Sequence, residues 1–483
     1  MTAFGILSYG AYVPRRRMSR ERIVDAIGWA QPSLKGLAKG ARAFGAWDED
    51  PITMAVEAAR VTLAQSDAKP PAALCFASTT APFLDRQNAG VIATALDLAP
   101  ETHVYDVSGS QRAATSGLMR AASTRAGATL IAAAEQRPTK AASMTEMLSG
   151  DAGAALLIGD GEPIAEIIGA NAVYADLVDH YRTAASGEEY VIEERWFRDE
   201  GLTKLAPQAV APVLEDAGLT SSDVQCLIAP TQNPSLANAV ARSLDIGKDK
   251  LADSLFDQCG YAGAAHPLLQ LTAVLDEAAP GQVILITAFG QGCDAILLRT
   301  TDAASKRPRS ISAQLEGGCI EENYVKFLAS RGAIDIDWGM RAERDNRTAQ
   351  TVAYDKSRDI YGFVGGVCSV CGTPQFPKSR RCVNPDCGAL DTQADYRFAD
   401  LAATVKSYTE DWIAFTREPP LVYGNVSFEG GGNVFMEMCD FEPGDVAVGT
   451  PVAMKFRIKD IDAARGFHRY FWKAGPVPGG AGG

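Results

Sequence analysis

Asp106-Val-Ser-Gly-Ser-Gln-Arg-Ala-Ala114 and Asp257-Gln-Cys-Gly-Tyr-Ala-Gly-Ala-Ala265 carry an aspartate, a glycine three positions on and an Ala-Ala pair at the same offsets. A second echo follows each of them: Gly150-Asp-Ala-Gly-Ala-Ala-Leu-Leu157 and Gln291-Gly-Cys-Asp-Ala-Ile-Leu-Leu298. Found at matching places in two stretches of similar length, the echoes predict a duplicated α/β unit. A glycine at each strand-to-helix junction permits a tight approach, and the helix that follows turns its N-terminus toward a shared cleft.

The surrounding pattern alternates strand and helix. Small and apolar residues recur at helical spacing over 52–63, 87–96 and 113–121, with short apolar strands over 73–77, 103–107, 130–133 and 152–158. The second half repeats the plan. A helix is expected over 202–217, broken or kinked by Pro207 and Pro212, then a strand over 224–229, helices over 236–244 and 268–275, and strands over 283–287 and 295–298. The fold class is therefore α/β, with halves of about 1–165 and 166–300. Residues 301–355 are charged and weakly patterned around one helical stretch, Glu322 to Gly332, and read as a linker. Alternating stretches over 403–409, 421–428, 434–438 and 452–458 are separated by turn signals and predict a small β-barrel or sandwich.

Composition bounds the rest. The 483 residues include 46 Lys+Arg against 59 Asp+Glu, a formal net charge of -13, which argues against a nucleic-acid clamp. With 47% hydrophobic residues the chain is no disordered polymer, and its length calls for more than one domain. No window is apolar enough to span a membrane, and the N-terminus is apolar before it is basic, the reverse of a signal peptide. A cytoplasmic, reduced protein is expected.

Ten cysteines and only four histidines, His103, His180, His266 and His468, leave little material for a histidine-rich metal site. Four of the cysteines stand together as Cys368-Ser-Val-Cys371-Gly and Cys382-Val-Asn-Pro-Asp-Cys387-Gly. Each pair places two thiolates on one side of a metal, and the glycine after it suits a knuckle turn. Cys368, Cys371, Cys382 and Cys387 are thus expected to hold a structural zinc, with iron the alternative, in a ribbon over 356–392. Four sulfur ligands leave no open position for catalysis.

Residues 361–475, through CSVCGTPQFP, VKSYTE, LVYGNVSFEGGG and VGTPVAMKFR, resemble the acyl-CoA-associated zinc-ribbon plus OB-fold family known as DUF35. Residues 1–300, through YGAYVPRRR, WDEDPITMAVEAAR, GDAGAALLIG, GYAGA and GQGCDAILL, resemble the thiolase superfamily in its hydroxymethylglutaryl-CoA synthase and ketoacyl-synthase III branch. The resemblance implies a duplicated thiolase-like five-layer fold, then a zinc ribbon and an OB-type barrel over 393–483. It also implies a homodimer, within a larger complex or alone, and an acyl-CoA substrate with coenzyme A as its handle.

The family's catalytic groups do not carry over. Its nucleophilic Cys falls on Gln111, between Ser110 and Arg112, and its acid/base Glu on Thr79. Its His falls on Pro230 or Thr231, with Asn233 close by, and its Asn on Cys259 or Gly260. A Gln side chain cannot form an acyl-enzyme. Candidates to fill the cleft are Gln111 and Thr79 with Cys259, Tyr261 and His266 from the second half. Cys259 is expected at the start of a helix that would favour its thiolate, while Tyr261 and His266 are candidate proton carriers. Each also has a plain structural role open to it, as buried filling or a helix-start residue. His180 and Arg182 sit where the family has a loop near the substrate.

Loss of the nucleophile leaves one reaction class that needs no covalent intermediate. A base removes the hydroxyl proton of a β-hydroxyacyl-CoA, the Cα–Cβ bond breaks, and an oxyanion pocket holds the thioester enolate. Some thiolase-like proteins paired with a zinc-ribbon/OB partner resemble such retro-aldol lyases. A condensing or decarboxylating acyltransferase and a non-catalytic acyl-CoA-binding scaffold are the alternatives.

Overall fold

Strands buried on both faces read as unbroken apolar runs, and Val283–Phe289 is buried at every position. The computed structural model describes residues 3–183, 186–306, 311–343, 345–347 and 349–477. Its main feature is a nine-stranded mixed sheet. From the centre outward, the first half runs Ala3–Tyr12, Ala152–Gly161, Thr129–Glu135, Ala73–Ala77, His103–Val107, with two antiparallel pairings and then two parallel ones. The second half runs Ala165–Tyr174, Gly292–Thr300, Val283–Phe289, Cys226–Ile228, with two antiparallel pairings and then a parallel one. In the place of a fifth strand it keeps a single parallel bridge, Leu227 to Leu251. The central strands join the halves through Gly5–Glu166 and Ile6–Ala165. The duplication legible in the sequence is therefore also a duplication of pairing order.

Local chemistry starts the helices where the pattern asked for them. Pro51–Ala64 opens on a capping box in which Thr53 N donates to Asp50 Oδ1 and Asp50 N donates to Thr53 Oγ1, both at 2.9 Å, with Pro51 in its first turn. The expected break does not occur: Thr203–Asp216 is a continuous helix with Pro207 and Pro212 inside it. Leu205, Ala206, Ala209, Val210, Val213 and Leu214 bury one face. Packing of that face outweighs the helix bonds that the two prolines cannot make.

The chain folds as two compact units, 1–46 with 50–90 and 99–334, and 47–49 with 91–98 and 335–483. The stretch 301–355, read as a linker, is shared between them. Cys319–Glu321 pairs in parallel with Arg16–Ser19, and Tyr324–Ser330 buries Tyr324 and Phe327 in a cluster with Met18, Phe44 and Met147. Residues 307–310, 344 and 348 of that stretch lie outside the described residues.

The second unit holds a three-stranded sheet, Pro374–Gln375, Val364–Cys368, Gln393–Arg397, and a five-stranded antiparallel one. The latter runs Asn433–Glu437, Leu421–Phe428, Ala403–Asp411, Pro451–Asp462, Phe467–Pro476, and a bridge from Met438 to Ala474 brings its two ends together. Phe363, fully buried, packs its ring against Phe376, Phe398, Phe428 and Phe471, so one aromatic core serves both sheets. No helix among the described residues is long and apolar enough to cross a membrane.

Gly150 is where the first unit tolerates least. A Cβ there would stand 1.8 Å from Cys259 O, a main-chain atom that cannot rotate aside. Gly150→Ala is expected to cost about 1–3 kcal/mol or more by forcing the two segments apart, read as a lower urea midpoint at unchanged slope.

Candidate functional site

Each half seats its strand-to-helix loop against a glycine turn of the other. In the first half Ser110 Oγ and Arg112 Nε both donate to Gly290 O at 2.8 Å, and a Cβ on Gly290 would meet Ser110 Oγ at 2.5 Å and Gln111 N at 3.1 Å. Arg112 Nη1 also reaches Asp294 Oδ1 at 2.5 Å, while Thr115 donates to the other oxygen of Asp294 at 2.7 Å. In the second half Gly150 N donates to Tyr261 O and Tyr261 N to Leu148 O, both at 2.9 Å. The two loops thus face one another across the junction of the halves.

Gln111 occupies the centre of this junction. It is 5% exposed, and its Oε1 has no hydrogen-bond partner. A Cβ on Gly263, at positive φ, would meet Gln111 Oε1 at 3.0 Å and Arg137 Nη1 at 2.7 Å, so glycine there lets the second loop close on the first. Gln111 Nε2 lies 3.0 Å from His180 Nε2, and His180 Nδ1 lies 2.8 Å from Asp179 Oδ2. An amide nitrogen only donates, so His180 Nε2 accepts and the ring proton sits on Nδ1, donated to Asp179. Gln291 Nε2 donates to the remaining oxygen, Asp179 Oδ1, at 3.3 Å.

Thr79 sits beside this group on the end of Ala73–Ala77. Its N and Oγ1 donate to Glu135 Oε1 at 2.6 and 2.9 Å, and Thr80 Oγ1 donates to Glu135 Oε2 at 2.6 Å. Arg182 Nη2 donates to Thr79 O at 2.6 Å, and buried Arg137 pairs with Glu189. The hairpin of His180–Thr183 and Ser186–Val191 is therefore bonded into the cleft through His180, Arg182 and Glu189.

The other candidates stand differently. His266 is buried with both ring nitrogens spent on the backbone: Nδ1 accepts from Ala262 N at 3.2 Å and Nε2 donates to Ser254 O at 3.0 Å. Burial pushes its pKa down to about 4, which keeps the ring neutral. Cys259 is the last residue of the short helix Phe256–Cys259, not the first of one, and its thiol donates to Leu255 O and Gly260 O. Desolvation pushes that thiol up to about 11, so the expected thiolate stabilisation is absent. Tyr261 is buried near Arg137, Asp179 and Glu135, and desolvation holds its phenol well above the ordinary value, which suits a donor and not a base. Thr231 lines a small, largely apolar pocket with Leu202, Ala206, Pro230 and Phe289, and Asn233 caps Pro234–Ser243. No titratable group stands at the family's His position.

Sequence reasoning missed Asp179, Glu135, Arg137 and Gln291. A signal existed for two of them, since Glu135 ends a wholly buried strand and Arg137 follows two residues on, where an ionisable side chain must be paired.

In the second unit the four sulfurs of Cys368, Cys371, Cys382 and Cys387 lie within 4.8 Å of one another, with Cys368–Cys387 at 3.9 Å and Cys371–Cys382 at 3.5 Å. A tetrahedron of sulfurs at about 2.3 Å from a metal has edges of about 3.8 Å, so the set fits. Gly372 and Gly388 take positive φ, as the knuckle turns require.

Comparison with known proteins agrees with the frame. The family described as 3-oxoacyl-[acyl-carrier-protein] synthase III C terminal matches residues 214–299. The hydroxymethylglutaryl-CoA synthase of Aeropyrum pernix is 30% identical over 354 residues, covering 70% of this chain and 93% of that protein, and that of Pyrococcus horikoshii is 28% identical over 356 residues, covering 70% and 96%. Among solved structures, an HMG-CoA synthase complexed with CoA superposes with a TM-score of 0.61 at 15% identity over 72% of this chain and 95% of that one. The 3-oxoacyl-[acyl-carrier-protein] synthase III of Aquifex aeolicus gives 0.53 at 21% identity over 61% and 99%. With the echoed loops, the duplicated sheet and this similarity together, the chain belongs to the hydroxymethylglutaryl-CoA synthase family of the thiolase superfamily.

Proposed function

We propose that the protein acts on an acyl-CoA thioester, making or breaking the bond between its α-carbon and a carbonyl carbon without forming an acyl-enzyme. The observation that carries this reading is Gln111, an amide buried where the family places its nucleophile, with one oxygen unpartnered and its nitrogen bonded to a histidine. The relatives are named as synthases, which favours the condensing direction of a hydroxymethylglutaryl-CoA synthase-like enzyme. Absence of a nucleophile favours an aldol-type step, in which the acyl group stays on CoA, and its reverse, the retro-aldol cleavage of a β-hydroxyacyl-CoA. The Gln111 amide and the main-chain N–H groups of its loop are the donors for the enolate oxygen, and Tyr261 is a further donor.

The second unit is read as a zinc ribbon followed by an OB-type barrel. The four-sulfur set supports zinc, and the sheet whose ends meet at Met438 and Ala474 supports the barrel. Zinc there would fasten the ribbon and take no part in chemistry. The half-exposed outer strand His103–Val107 supports pairing with a second copy.

Incubation with a panel of β-hydroxyacyl-CoAs is expected to release an aldehyde or ketone and the shortened acyl-CoA, read by mass spectrometry, with no acyl adduct on any cysteine. An acyl adduct trapped on Cys259 or another thiol would sink the non-covalent reading, and CoA-thioester binding with no turnover in either direction would leave a scaffold. Elemental analysis is expected to find about one zinc per chain. Cys371→Ser should lose it and melt several degrees lower, because binding energy at such sites is folding energy.

A further inference from the structure

The acyl-CoA reading leaves open which group moves the proton, and the family positions offer none. Among the described residues that line the junction, most basic atoms are already spent. Glu135 has both oxygens accepting from Thr79 and Thr80, Glu189 keeps one oxygen on the Arg137 guanidinium and leaves the other without a hydrogen-bond partner, both nitrogens of His266 are bonded to backbone, and Tyr261 and Cys259 are held protonated by burial. His180 differs. Its Nε2 is an acceptor whose one partner is the Gln111 amide, a side chain and therefore displaceable, while Nδ1 is braced by Asp179 and Asp179 in turn by Gln291.

We propose that His180, oriented by Asp179, is the acid/base catalytic residue of this cleft, and that its substrate is a β-hydroxyacyl thioester whose hydroxyl inserts between Gln111 Nε2 and His180 Nε2. The proposal rests on the acyl-CoA reading. A hydroxyl suits that position because it both accepts, from the Gln111 amide, and donates, to the ring nitrogen. The buried Gln111 Oε1, which has no partner, is the second observation that the side chain is built to meet a ligand.

In the cleaving direction His180 Nε2 takes the hydroxyl proton, the oxygen forms a carbonyl with Cβ, and the Cα–Cβ bond breaks. Its electron pair passes to the thioester as an enolate, held by the Gln111 amide and the loop N–H groups. The proton on Nε2 is then returned to Cα, which frees an acyl-CoA and an aldehyde or ketone. In the condensing direction the same nitrogen removes the α-proton and returns it to the new hydroxyl. Asp179 touches no reacting atom and is a positioning residue that fixes the tautomer.

The second half of this step can be read without knowing the acyl acceptor. Acetyl-CoA and propionyl-CoA in D2O are expected to gain deuterium at Cα, measured by mass spectrometry, alongside cleavage of the β-hydroxyacyl-CoA panel. His180→Gln keeps a hydrogen-bonding side chain opposite Gln111 but cannot carry the proton, and should melt with the wild type while losing about 100-fold or more in rate. His180→Ala should lose as much and recover in part with added imidazole, which a merely structural histidine would not show. Asp179→Asn should lower kcat about 10-fold at unchanged KM. Wild-type turnover with His180→Gln within threefold of it overturns the role of His180 and leaves the acyl-CoA reading standing. A wild type that neither exchanges nor cleaves overturns that reading, and this proposal with it.

Discussion

Much of the first unit depends on one steric exchange: each half lays its strand-to-helix loop against a glycine turn of the other. Gly290 lies against the Ser110–Arg112 loop, and Gly150 lies against Cys259 and Gly260, at distances where a Cβ could not fit. Main-chain hydrogen bonds at 2.9 Å and the Arg112–Asp294 pair hold these contacts. Because a packed junction of this kind yields little, it places side chains from both halves within a few ångströms of one another. The cleft is a product of the duplication, and neither half contains it alone.

Within that junction the polar side chains form a connected set. Gln111, His180, Asp179 and Gln291 make one chain of bonds, and Thr79, Thr80 and Glu135 make another, which Arg137 and Arg182 tie to the hairpin that carries His180. Groups so deeply buried are costly unless satisfied. Three atoms of the set are buried without a hydrogen-bond partner: Gln111 Oε1, Arg137 Nε and Glu189 Oε2. The second unit solves a different problem with different means. The strands of its three-stranded sheet are short, and it relies on an aromatic core around Phe363 and on four sulfurs set at metal-binding distances.

The candidate site was only partly legible in the residues. Gln111 and Thr79 were found by position in the family pattern, and both lie in the cleft. His266 was singled out because histidine is scarce and it begins a helix, yet its ring is turned to the backbone of Ala262 and Ser254. Cys259 was placed at a helix start, but its helix ends there, so the dipole argument reverses sign. Both misplacements have one cause: the sequence shows that a residue neighbours a helix, not toward which side its own side chain turns. His180 lies 69 positions from Gln111, and no local pattern joins them.

By itself the sequence determined the α/β class, the echoed segments of the two halves and the four-cysteine cluster. These rest on periodicity, spacing and residue identity, which are local and survive without coordinates. Only the tertiary structure decided that Pro207 and Pro212 stay inside a helix, that residues 311–334 fold into the first unit, and that His180 rather than His266 faces Gln111. Those outcomes are set by packing across the chain, where burial and hydrogen-bond satisfaction between distant segments outweigh what neighbours in sequence prefer.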